Sequence, residues 1–234
     1  SFQLEHSPTF RAKVCAILNL TPDHVNWHKT EEKYYDAKLR LARNQKSDDF
    51  YIYNEGDSLL KKSASEMAGK RVPFSYNGEG LHLEGDMVYD ESPLFSLQDY
   101  RLLGKHNIEN ALAAIAMTKS LGLDLEDIKK AVLSFGGVAH RIEWIREYHG
   151  IQFYNDSKGT NVDASIKAIE AMTRPIRLLA GGMDKKISYA PFIETAKDKV
   201  KKFYLYGETK ELLAKTIEEI APMMEYSIYN TLDE

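Results

Sequence analysis

The chain has one cysteine in 234 residues, so no disulfide can form within it. A reducing compartment, the cytoplasm, fits that. Cys15 lies in the apolar run Val14-Cys15-Ala16-Ile17-Leu18. There a cysteine reads as a small buried hydrophobe rather than a nucleophile. No stretch approaches the roughly 18 consecutive apolar residues of a membrane-spanning helix, so no span is expected. Excess positive charge is also missing. The formal net charge is -4 and no arginine-rich stripe appears, which argues against nucleic acid as a partner. The chain does not begin with methionine, and no signal peptide is expected. Internal repeats and low-complexity segments are absent as well.

What is there belongs to a soluble globular protein, with 43% apolar and 28% charged residues. The length suits one large or two ordinary domains. The chain opens on Ser1-Phe2-Gln3-Leu4 as if within an element, and closes on Thr231-Leu232-Asp233-Glu234 as if a helix were starting. A fragment of a longer protein is expected.

Lys13 to Leu20 reads as a buried strand, and the polar loop Thr21 to His28 follows. Thr30 caps a predicted helix to about Asn44, with Glu31 and Glu32 placed where the helix dipole favours acids. Asp49 to Asn54 reads as a strand, and Asp57 to Ala68 as a helix ended by Gly69. Residues 71 to 103 alternate and carry Asn77-Gly78, which predicts strands and hairpins. Ile108 to Leu121 and Asp124 to Phe135 are helical patterns. Gly136-Gly137 is the clearest break and the candidate domain boundary. Beyond it, strands are predicted at 142–148, 151–154, 176–180, 202–206 and 225–229. Helices are predicted at 162–172, 190–199 and 209–220. That alternation implies a parallel sheet covered on both faces.

Residues 155 to 161 read Asn-Asp-Ser-Lys-Gly-Thr-Asn, between an apolar strand and a helix. Such a loop collects a carboxylate, an ammonium and hydroxyls at a strand's carboxyl end, where α/β proteins bind ligands. It also reads as a solvated turn with an asparagine cap. Three more clusters carry similar pairs of readings. His24 follows a strand exit and Lys38 sits on the next helix; histidine can bind a metal or simply bond to backbone. Asn107 and Asn110 are three apart on a helix, hence on one face. They can bind a nucleotide's base or ribose, or cap and solvate the helix. Arg141, after His140, suits a phosphate or a surface ion pair.

None of these clusters is specific alone. Ser1-Phe2-Gln3-Leu4, Asn19-Leu20-Thr21-Pro22-Asp23-His24, Ala37-Lys38, Gly104-Lys105-His106-Asn107-Ile108-Glu109-Asn110-Ala111, His140-Arg141 and Asn155-Asp156-Ser157-Lys158-Gly159-Thr160-Asn161 occur in this order. Together they resemble the Mur ligases of peptidoglycan synthesis along nearly the whole chain. The Asp-Ser-Lys-Gly-Thr-Asn loop resembles the branch that adds D-glutamate to UDP-N-acetylmuramoyl-L-alanine. The resemblance implies an α/β fold: part of a central ATPase domain over 1–136, then a Rossmann-like C-terminal domain over 137–234 with a mainly parallel sheet.

It also implies roles. ATP would phosphorylate the substrate's terminal carboxylate, and the amine of D-glutamate would attack the acyl phosphate. His24 would ligate magnesium. Lys38 would be carbamylated, so that carboxylate oxygens rather than an ammonium face the metal. Asn107 and Asn110 would contact nucleotide. From the far domain, Arg141 would lie near the ATP phosphates, Asp156 near the ribose, and Lys158 near the phosphates and the reacting carboxylate. Thr160 and Lys185, with Lys186 as an alternative, would hold the side-chain carboxylate of D-glutamate. A monomer is expected.

The family's Gly-rich phosphate loop and an acidic metal ligand are expected ahead of Ser1. Its Ser-rich segment, which grips the α-carboxylate of D-glutamate, is expected after Glu234. Without them the chain alone is expected to be inactive. Asn26 stands where many members carry an acid. Two rival readings remain: a folylpolyglutamate-synthetase-like L-glutamate ligase, and a non-catalytic nucleotide-binding module.

Overall fold

The computed structural model describes residues 1–21, 25–78, 80–184 and 187–231, with Val25 and Asn26 described by backbone alone. The chain divides into two compact units, Ser1–Gly136 and Gly137–Glu234.

The first unit begins with a single-turn helix α1 (Phe2–Glu5), strand β1 (Val14–Ile17), a second single turn α2 (Val25–His28) and α3 (Glu31–Arg43). Thr30 caps α3, its hydroxyl accepting from the Lys33 amide at 3.3 Å. Then come β2 (Phe50–Asn54), α4 (Ser58–Ala64), β3 (Lys70–Ser75), β4 (Leu81–Glu84), β5 (Met87–Asp90) and β6 (Ser92–Ser96). A 3₁₀ turn (Leu97–Asp99) leads to α5 (Lys105–Ser120) and α6 (Leu125–Ser134). The six strands lie in sequence order. β1 to β4 pair in parallel, and β5 and β6 continue antiparallel.

β2 shows why the apolar run Phe-Tyr-Ile-Tyr is continuous rather than alternating. Tyr51 and Tyr53 enter a core with Leu60 and Ala64 of α4. Ile52 enters the opposite core with Leu112 and Ile115 of α5. A strand buried on both faces has no polar side. Each such large side chain contributes about 1.5–3 kcal/mol by leaving water. At the foot of β2 the fully buried Asp49 accepts from Arg11 Nε at 2.6 Å, Arg11 Nη2 at 2.8 Å and the Lys46 amide at 2.7 Å. The Arg11 guanidinium holds this carboxyl well below the usual carboxylate range.

Several boundaries differ from the sequence reading: β1 ends at Ile17 rather than Leu20, the helix expected over 190–199 ends at Ala196, and two more differ in the first unit. Helix α4 stops at Ala64 rather than Ala68, and Gly69 is not its cap. Ser63 and Ser65 turn their hydroxyls onto the Leu60 and Lys62 carbonyls, and the chain leaves through tight i to i+3 turns. Helix α5 begins at Lys105, three residues before the expected start. The break is Gly104 itself, at φ 92, a left-handed conformation glycine adopts freely.

The second unit contains β7 (Glu143–Tyr148), β8 (Ile151–Asn155), α7 (Val162–Ala171), β9 (Ile176–Gly181), α8 (Ala190–Ala196), β10 (Val200–Tyr206), α9 (Lys210–Ile220) and β11 (Glu225–Ile228). β9, β10 and β11 form a parallel sheet in the order β11-β10-β9. The fold is therefore α/β with parallel strands, as expected. The expected single sheet is not observed: β7 and β8 form a separate antiparallel pair. Only His149 and Gly150 separate them, both at positive φ (49 and 77). That is the geometry of a type I′ hairpin turn, and far too short for a parallel crossover.

Cover on both faces is not observed either. Ile169 of α7, Ile193 of α8 and Ile217 of α9 share one core with Phe203 and Leu205. Leu178 and Ala180, paired to those two β10 residues, pack on the same core. The alternate residue Leu179 is 62% exposed. Among the described residues, the helices thus occupy one face of this sheet.

Candidate functional site

In the first unit, the candidate groups gather at the carboxyl ends of the parallel strands. Lys38, on α3, donates through Nζ to the Asn19 carbonyl at 3.0 Å. Its ammonium also lies 4.9 Å from the Tyr34 ring centre. Tyr34 is buried one turn earlier on the same helix, so the helix spacing itself aims Lys38 at the exit of β1. Where β2 ends, Asp57 accepts from the Leu59 and Leu60 amides at 3.0 and 3.1 Å and so caps α4. Its second oxygen accepts from the Leu20 amide at 2.7 Å.

Beside it a polar cleft of about 320 Å³ is lined by Asn54, Asp57, Ser75, Tyr76, Lys105 and Glu109, among others. Lys105 Nζ faces Glu109 at 3.8 Å and the Tyr76 ring centre at 5.0 Å. Sequence reasoning passed over Asp57 and this cleft, treating Asp57 only as a helix start. The signal was there, in a polar Asn54-Glu55-Gly56-Asp57 stretch following an apolar strand.

Asn107 and Asn110 share one face of α5, a different flank from Lys105 and Glu109. Asn110 is exposed, whereas Asn107 is half-buried. Asn107 Nδ2 donates to the Leu103 carbonyl at 2.8 Å, and its own carbonyl accepts from Tyr100 Oη at 2.9 Å. Burial pushes the Tyr100 phenol up to about 12, so it stays protonated and donates.

In the second unit, the structure brings Arg141, Asp156 and Lys158 together. The loop 156–161 leaves β8, and Asn161 caps α7 by accepting from the Ala164 amide at 2.7 Å. A preceding turn is stitched to this loop by its backbone. Asp156 Oδ1 accepts from the Ile142 amide at 3.0 Å, and the Lys158 amide donates to the His140 carbonyl at 3.0 Å. Asn155 Nδ2 also lies 2.8 Å from His140 Nδ1. His140 and Ile142 both have positive φ, 67 and 44. For a β-branched residue such a conformation is strained, and strain persists only where surrounding bonds hold it. Arg141 sits between these two residues, and it, Lys158 and Thr160 are exposed. A Cβ on Gly159 would lie 2.4 Å from Asp156 Oδ2, so this turn admits no larger residue without moving that carboxylate.

His24, Lys185 and Lys186 lie outside the described residues. Among the described residues there is no group of three His, Cys, Asp or Glu that could hold a metal ion. Near Lys38 the chemistry fits a hard cation only once carbamylation turns the ammonium into oxygens, since a bare ammonium repels a divalent ion.

Residues 3–118 match the Mur ligase middle domain, and residues 140–234 match the Mur ligase glutamate ligase domain. A curated UDP-N-acetylmuramoylalanine–D-glutamate ligase of Alkaliphilus metalliredigens is 43% identical over 224 residues, 92% of this chain and 49% of that relative. The chain thus spans about half the length of the curated relatives it matches. Among solved structures, the UDP-N-acetylmuramate-alanine ligase MurC of Thermotoga maritima superposes with TM-score 0.75 at 19% identity, over 97% of this chain and 53% of that one. Folylpolyglutamate synthase of Mycobacterium tuberculosis, solved with ADP and AMPPCP, gives TM-score 0.69 at 14% identity, over 97% and 56%. At such identities the two structures speak for the fold alone.

Proposed function

Because the chain belongs to the Mur ligase family, we propose that a protein of its relatives' length containing this sequence joins D-glutamate to UDP-N-acetylmuramoyl-L-alanine at the expense of ATP. The terminal phosphoryl group of ATP passes to a substrate carboxylate oxygen, leaving ADP. The D-glutamate nitrogen then attacks the acyl carbon. A C–N bond forms, the C–O bond to phosphate breaks, the nitrogen loses its proton, and inorganic phosphate departs.

The observation that carries this reading is the Arg141 turn held onto the Asp156 loop, with the Ile142 amide donating to the Asp156 carboxylate and the Lys158 amide to the His140 carbonyl. It brings Arg141, Asp156 and Lys158 onto one backbone frame. Cations carried on one such frame suit the phosphate oxygens that gain charge during transfer. Asp156 lies near the ribose. Asn107 and Asn110 bind nucleotide. Thr160 and Lys185, or Lys186 in its place, take the side-chain carboxylate of D-glutamate. His24 and a carbamylated Lys38 hold magnesium, which supplies charge neutralisation at the phosphates. The protein acts as a cytoplasmic monomer.

The D-glutamate choice over an L-glutamate ligase is supported by the 43% identity to a D-glutamate ligase, against 14% to folylpolyglutamate synthase. The test is phosphate release from ATP with UDP-N-acetylmuramoyl-L-alanine and each glutamate enantiomer. Release that depends on D-glutamate is expected. Dependence on L-glutamate alone would favour the folylpolyglutamate-like rival, and none with either would favour a binding module.

A further inference from the structure

We propose that Asp57 is a positioning residue for the Lys38 end of the site, acting through the exit of β1; this rests on the ligase reading above. One carboxylate makes two kinds of bond. Oδ1 accepts from the Leu59 and Leu60 amides, the ordinary work of a helix N-cap. Oδ2 accepts from the Leu20 amide at 2.7 Å, across 37 positions of sequence. Capping α4 requires only one oxygen, so the second bond is extra to the helix.

Its consequence lies just past the end of β1. Leu20 is buried at 6% exposure beside Leu60 of α4, in the core that also holds Ile17. Asn19, the residue before it, offers its carbonyl to Lys38 Nζ at 3.0 Å. The chain of contacts runs from the Asp57 carboxylate to the Leu20 amide, through one peptide unit to the Asn19 carbonyl, and on to Lys38. Asp57 therefore sets where β1 releases its loop and where the Lys38 side chain meets it. Asp57 touches no reacting atom in this account, and its effect falls on turnover rather than on nucleotide affinity.

The test separates the cap from the clamp. Serine is a competent N-cap but has a single oxygen, so Asp57→Ser keeps the α4 bonds and deletes the bond to Leu20. In the 234-residue chain, amide exchange followed by NMR should quicken about ten- to a hundredfold at Leu20 and stay within about threefold at Leu60. In a protein of the relatives' length, the same variant should lose at least about tenfold in kcat. KM for ATP should change less than about threefold and the thermal midpoint should stay within about 2 °C, the pattern of a lost turnover interaction.

Unchanged Leu20 exchange overturns the clamp. Unchanged kcat in an otherwise active protein overturns the positioning role and leaves the ligase reading standing. A kcat loss accompanied by a large fall in thermal midpoint assigns Asp57 to stability alone and overturns the proposal. A parent that releases no phosphate with D-glutamate overturns the ligase reading, and with it any role for Asp57 in turnover, whatever the exchange rates show.

Discussion

The sheets of the two units treat neighbouring residues differently. In β2, Tyr51 and Ile52 point to opposite faces and both are fully enclosed. In β9, Leu178 packs on a core while Leu179 stands 62% exposed. Both strands are parallel and apolar. The difference lies in the helices: α4 and α5 cover opposite faces of β2, whereas α7, α8 and α9 share one face of the second sheet. Burial in a parallel strand thus follows from where the connecting helices run, not from the pairing itself.

The candidate residues of the two units show the same contrast. In the first unit, side chains are anchored to backbone, Lys38 to the Asn19 carbonyl and Asn107 to the Leu103 carbonyl. In the second, the backbone is anchored and the Arg141 and Lys158 side chains are exposed.

Four measurements test the contrast between the two units. The largest effect belongs to the doubly covered strand. Ile52→Ala removes buried methyl groups from a closed core and should cost about 2–5 kcal/mol, read from denaturant unfolding of the 234-residue chain. A cost under about 1 kcal/mol would mean the core around β2 is looser than its burial indicates.

Next comes the anchored lysine, tested in a protein of the relatives' length. Lys38→Ala should reduce turnover about a hundredfold or more, the scale of losing a stabiliser of developing charge. Small carboxylic acids should restore part of it, because they supply the oxygens of a carbamate. Rescue by amines and not by acids would reverse the assignment.

A smaller effect is expected from Asp156→Ala, which frees the Ile142 amide and unpins the Arg141 turn. A lost charge-assisted hydrogen bond predicts about a ten- to hundredfold rise in KM for ATP. An unchanged KM would show that the turn holds without its carboxylate staple. The smallest belongs to the open face, where Leu179→Ala should stay within about 0.5 kcal/mol. A cost matching that of Ile52→Ala would abolish the contrast between the two sheets.

Acidification probes the first unit separately. The folded-state pKa of Asp49 is depressed by Arg11. Its stabilisation is therefore fully present above the unfolded carboxylate value of about 3.9 and is lost as pH falls below it toward the folded value. The thermal midpoint should drop over that acid range in the parent, while Asp49→Asn starts lower at neutral pH and shows a shallower acid slope. Equal slopes would remove Asp49 from the acid response.

Several features were readable in one dimension because their causes are local. Thr30 and Asn161 cap helices through bonds to amides three residues ahead. The polar run 155–161 could be recognised as a strand-exit loop, and the ordered motifs pointed to the Mur ligase family. His24, Lys185 and Lys186 were named on the same grounds, and no geometry is described for them.

Other features depend on groups that meet only after folding. Asp57 reads as a helix cap until the Leu20 amide arrives from 37 positions away. Nothing near Arg141 in sequence announces that residues 155–158 will hold its turn in a strained conformation. The His149-Gly150 pair lies in the sequence as a hairpin signal, yet the regular strand and helix alternation around it suggested a single parallel sheet. Periodicity, caps and turn chemistry act over a few residues, so the sequence alone determined which elements exist and where most of them end. Which face a helix covers, and which carboxylate reaches which amide, depends on contacts between distant segments, and the tertiary structure alone decided them.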